Sequence, residues 1–90
     1  MTVHWVSYDV GPTTGDDTSV RAFLASLDDW ASALISGMFV RSDFTAAELR
    51  DAMSDFLGAG DYVVVVAVDG EDWATFGLPD AVNEWLHDNA

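Results

Sequence analysis

The 90-residue chain predicts a single α+β domain, and three observations lead there. Half of the residues are hydrophobic, among them four Trp, five Phe and two Tyr, which is enough to fill one core. Stretches rich in β-branched and aromatic residues alternate with stretches whose apolar residues recur at helical spacing. Gly, Pro and Asp separate these stretches, and there is no repeat, linker or low-complexity tract, so residues 1–90 read as one unit.

Val3 to Val10 has strand character and stops at Gly11-Pro12. A polar loop follows to Asp17. Thr18 or Asp17 can then cap a first helix, in which Val20, Phe23, Leu24 and Leu27 fall at i, i+3, i+4 and i+7. Asp28-Asp29 lies at the far end of that helix, where acids oppose the dipole. Strand character returns from Ala33 to Arg41, interrupted by Ser36-Gly37, which allows either one bent strand or a hairpin of two. Thr45-Ala46-Ala47-Glu48 is a capping box, with Phe44 and Leu49 as its hydrophobic staple. Leu49, Ala52, Met53, Phe56 and Leu57 continue as one apolar stripe that Gly58 and Gly60 end. The run Val63-Val64-Val65-Val66 predicts a strand buried on both faces, by helices or by a partner subunit. Asp69-Gly70 turns the chain, Trp73 to Phe76 is a short aromatic segment, and Pro79 opens a last helix with Val82, Trp85 and Leu86 on one face. The order is β-α-β-β-α-β plus a terminal helix. An antiparallel sheet with two helices on one face is the ferredoxin-like arrangement.

Composition narrows the chemistry. Without cysteine there is neither a disulfide nor a thiolate metal site, which fits a reducing compartment. No apolar run approaches the ~20 residues that span a bilayer. The start Met1-Thr2-Val3-His4-Trp5 lacks the basic and apolar regions of a secretory signal, and the expectation is a cytoplasmic protein. Sixteen acids, thirteen of them Asp, face Arg21, Arg41 and Arg50 with no Lys, for a net charge of −13. At that charge the compact state repels itself, and counterions relieve the repulsion, with a Debye length of about 3 Å at 1 M salt. Two readings stand: adaptation to a salt-accumulating, halophilic cell, or an acidic surface that mimics nucleic acid and occupies a basic partner.

Candidates for catalysis are few. No P-loop, dinucleotide fingerprint or His-x-x-x-His pair is present. His4 and His87 lie at opposite ends of the chain, and His4 reads as a surface or hydrogen-bonded histidine. Asp9 is the candidate of choice, at the end of the first strand before a flexible loop. A carboxylate there suits Mg²⁺, which keeps most of its waters, and two copies of Asp9 could share an ion across a two-fold axis. Trp5, Trp30, Trp73 and Trp85 could stack on bases, but single-strand binders add a basic groove that three arginines cannot build, so packing is the better account. Asp69-Gly70-Glu71-Asp72 lacks the ligand spacing of a calcium loop and reads as a turn.

The segments Trp5-Val6-Ser7-Tyr8-Asp9-Val10, Ser36-Gly37-Met38-Phe39-Val40 and Thr45-Ala46-Ala47-Glu48-Leu49 resemble the small CRISPR-associated integration-complex proteins. With Trp73-Ala74-Thr75-Phe76-Gly77-Leu78-Pro79 and Glu84-Trp85-Leu86, the chain looks most like the short proteins labelled SinR-family. The likeness covers nearly the whole chain. It implies a ferredoxin-like fold, a homodimer and a metal-binding aspartate at Asp9. Members of the wider family include Mg²⁺-dependent nucleases, structural subunits of DNA integration and ribonuclease toxins. The chain departs from them in lacking the basic residues that grip phosphates. The expectation is therefore a dimeric, non-catalytic structural or regulatory subunit with a protein partner. The alternatives are a Mg²⁺-dependent endonuclease in which Asp9 is both catalytic residue and metal ligand, and an acidic nucleic-acid mimic.

Overall fold

The computed structural model describes residues 1–90. Its elements are β1 (Thr2–Asp9), α1 (Thr18–Ala25), β2 (Asp29–Leu34), β3 (Gly37–Ser42), α2 (Ala46–Ser54), β4 (Tyr62–Ala67) and α3 (Asp80–Asn89). The fold is α+β: one four-stranded sheet of order β2-β3-β1-β4, antiparallel at every pairing, with three helices. No helix is long and apolar enough to cross a membrane.

Alternation along β1 decides what each face buries. Val6 and Tyr8 pair with Met38 and Val63 at their sides and point towards α1 and α2. There they meet Val20 and Leu24 of α1 and Leu49 and Met53 of α2, the core of the molecule. Leu24, Leu49 and Met53 are fully buried, each contributing about 1.5–3 kcal/mol of transfer free energy. On the opposite face, Val82 and Leu86 of α3 pack on Ala31, flanked by Phe39, Trp73 and Leu78. That second layer lies over the β2 side of the sheet and leaves the β4 side uncovered.

Several expectations hold in detail. The capping box forms: the Glu48 amide donates to Thr45 Oγ1 at 3.1 Å and the Thr45 amide to Glu48 Oε1 at 2.9 Å. The interruption marks a hairpin of two strands, its turn at Ile35-Ser36 and Gly37 already the first residue of β3, with the register shifting near Ser32 and Leu34. Pro79 is the N-cap of α3, just ahead of its first turn.

Others are corrected. Within one chain β4 is an edge strand that helices cover on one face only, with Val63 and Val65 turned towards the core and Tyr62, Val64 and Val66 towards solvent. A continuous valine run reads alike whether its second face is covered or bare, so pattern cannot separate the two cases. β2 begins at Asp29 rather than near Ala33, and Asp28-Asp29 therefore opens a strand instead of closing a helix. α2 stops at Ser54, before the glycines that were expected to end it. Neither Asp17 nor Thr18 caps α1 through its side chain. Asp16 Oδ1 accepts the Thr18 amide at 3.0 Å, and this hydrogen bond holds the Asp16 carboxyl below the usual range.

Candidate functional site

The uncovered face of the sheet concentrates the features that packing leaves unexplained. On this face Trp5 lies between Phe39 of β3 and Val66 of β4, and Asp9 lies beside Tyr62. Tyr62 is 69% exposed, Val64 57% and Val66 48%, a line of apolar side chains with nothing against them. An edge strand with no charge, no proline and four consecutive valines also lacks the devices that normally discourage pairing with another chain.

Trp5 gives this face its shape. Its indole rests on the bare Cα of Gly37, where an added Cβ would stand 2.3 Å from the ring. The ring also meets Phe39, centroid to centroid at 4.8 Å. Trp5 and Phe39 floor an apolar groove of about 230 Å³, walled by Ala33 and Leu34 of β2 and by Leu78 and Phe76 of the connection to α3. Phe76 itself is 101% exposed.

Asp9 closes β1 at the margin of this face, and its side chain is exposed, as a ligand would require. It takes part in none of the side-chain hydrogen bonds around it, and no group of three or more His, Asp or Glu stands close enough to hold an ion. The nearby loops are tied instead by Asp61, which accepts the Gly11 amide at 2.6 Å, the Gly58 amide at 2.8 Å and the Thr14 hydroxyl. The Thr14 hydroxyl above all, with the two amides, holds the Asp61 carboxyl below its ordinary range.

On the helix side, a polar network passes unseen in the sequence. Buried Tyr8 donates its hydroxyl to Asp17 Oδ2 at 2.6 Å. Arg21 donates from Nη1 to that hydroxyl and to the Ile35 carbonyl, both at 3.0 Å, and from Nη2 to Ser32 Oγ. One of the three cations thus ties β1, the start of α1 and the β2–β3 hairpin together. Burial, with the Asp17 hydrogen bond, pushes the Tyr8 phenol above its usual value, and Arg21 only partly offsets this. The i, i+4 spacing of Asp17 and Arg21 was the available signal.

His4 is neither on the surface nor hydrogen-bonded. It is buried, and its Nδ1 has no protein partner. Burial depresses the imidazole's pKa, a shift that the charge of Asp69 partly opposes. The unfolded chain therefore takes this proton first, and stability is lost as pH falls from about 6.5 towards the folded-state value. Urea midpoints measured between pH 7 and pH 5, above the range where most carboxylates titrate, should fall with pH. In His4→Phe that fall should be largely abolished. An equal slope in the variant would place the loss elsewhere.

Three of the four tryptophans pack: Trp5 on Gly37 and Phe39, Trp73 against His87 at 5.2 Å, and Trp85 against the α3 cluster. Trp30 is the most exposed of them. None of the sixteen acids is buried, and they are distributed over β1, β2, the loops, α2 and α3, on both sides of the sheet, rather than gathered on one face. No family model, curated protein or solved structure matches the chain.

Proposed function

We propose that the protein is a dimeric, non-catalytic structural or regulatory subunit whose uncovered sheet face joins it to a second copy. The supporting observation is the line Tyr62, Val64 and Val66, exposed and apolar on a chain that carries −13 elsewhere. A charge this large keeps a surface in water, so large apolar residues left bare on one face point to a surface used for contact. We read the strand order as the ferredoxin-like split βαβ arrangement, in which β3 separates the parallel pair β1 and β2 and β1 separates β3 and β4. This agrees with the resemblance to the CRISPR-associated and SinR-type proteins, and the wide spread of the acids favours solvation at high salt over nucleic-acid mimicry.

Sedimentation equilibrium in molar KCl tests the reading. The wild type should be a dimer and Val64→Asp a folded monomer, because each contact would bring two new carboxylates into an apolar interface. Asp9→Asn should remain dimeric, and neither it nor the wild type should cleave short RNA or DNA with Mg²⁺ or Mn²⁺. Cleavage that needs both metal and Asp9 would replace this reading with the endonuclease one, the two copies of Asp9 then sharing the ion.

A further inference from the structure

We propose that the dimer is locked by reciprocal exchange of Phe76, the ring of each copy entering the Trp5–Phe39 groove of the other; the inference rests on the dimeric reading above. Phe76 rims the groove of its own chain, yet nothing in that chain covers its ring, and the ring is not loosely held. The segment that carries it is anchored before by Trp73 and after by Leu78, both packed against the α3 cluster. Between them, the Thr75 hydroxyl donates to Asn83 Oδ1 at 2.5 Å, and Gly77 takes a φ of +79°, which a side-chain-bearing residue rarely adopts. A phenyl ring is thus presented to solvent by a braced loop, so little ordering cost remains when it is buried.

The groove beside it has the matching shape and chemistry. Its volume is about 230 Å³, and an apolar cavity of about 150 Å³ already accepts benzene. Knob and hole lie on the same face of one chain, the geometry that a two-fold, isologous contact uses twice. Phe76, Tyr62, Leu34, Val64 and Val66 together expose on the order of 600 Å², taking ~150–250 Å² for a whole aromatic and proportionally less for the others. That approaches the ~800 Å² per partner of a standard interface.

Charge selects the occupant. No residue lining the groove is ionisable, so two copies that repel each other strongly meet where the repulsion is least. Screening by salt then tightens the contact, and salting-out strengthens apolar burial in the same direction. A basic partner would bind through the acids instead, and would let go as salt rises.

The experiment uses the whole chain over a series of KCl concentrations. Wild type should dimerise more tightly as KCl rises. Phe76→Ser should weaken dimerisation by at least about 100-fold, since each contact loses two buried rings, while its circular dichroism stays that of the wild type. Because the chain has no cysteine, Phe76→Cys combined with Leu34→Cys reports the route: a disulfide between chains is expected. An intrachain disulfide alone would make Phe76 a lid over its own groove and overturn the exchange. A wild-type dimer whose affinity Phe76→Ser leaves unchanged would overturn it too, with the dimeric reading intact. A wild type that stays monomeric at every salt concentration would remove both.

Discussion

Gly37→Ala is expected to destabilise the protein by about 2–3 kcal/mol, although alanine is ordinarily the better residue within a strand. The new methyl group would stand 2.3 Å and 2.5 Å from two carbons of the Trp5 indole, too close for the ring to keep its place. Overpacking of this kind costs about 1–3 kcal/mol, and a displaced indole also gives up its contact with Phe39. Nothing in the glycine's backbone demands glycine, since its φ is not positive. The penalty should therefore vanish with the ring. In a Trp5→Ala background, Gly37→Ala should be neutral or stabilise by about 0.5–1 kcal/mol, the ordinary preference for alanine over glycine. Urea unfolding of the four chains gives the coupling directly. Similar costs in both backgrounds would mean that the indole does not rest on Gly37.

Leu86→Ala should have an effect at least as large, about 2–5 kcal/mol, the range for removing a buried leucine side chain. Its consequence should differ in kind from that of Leu49→Ala. Leu49 sits where α2, β1 and β3 meet, so its loss weakens the whole domain. Leu86 is fully buried but belongs to a small cluster, Ala31, Val82 and Leu86, that fastens one helix to one side of the sheet. Hydrogen exchange in Leu86→Ala should lose protection first along α3, with β1 and β3 still protected. Uniform loss across the domain would show that α3 and the sheet open together.

Much of the fold was legible because its signals are local. A capping box, a hydrophobic staple and the i, i+3, i+4 spacing of Val20, Phe23 and Leu24 depend on neighbours within two helical turns. What escaped depended on distant parts of the chain. Whether Val64 is covered is decided by α3, which packs on the β2 side of the sheet instead of the β4 side. His4 is buried because β1 lies between two other strands, and no periodicity within β1 reports that. β2 was placed too late because Asp29 and Ala31, poor strand formers on either side of Trp30, take their conformation from pairing with β3. The Tyr8–Arg21 network joins four segments, and only its Asp17–Arg21 spacing could be read along the chain. Asp9 was placed correctly at a strand end and in the open, while the groove beside Trp5 left no sequence motif at all.

The strand made first is the one at the middle. β1 emerges from the ribosome before any of its neighbours, yet it pairs with β3 from Gly37 and with β4 from Tyr62. During synthesis it must wait, unpaired and carrying Val3, Val6 and Trp5, until β3 has followed, and its second edge stays open until β4, well past the middle of the chain. Damage to the two ends should therefore be unequal: trimming back from Ala90 strips one outer layer, whereas losing Thr2–Asp9 removes the strand on which both halves of the sheet are built.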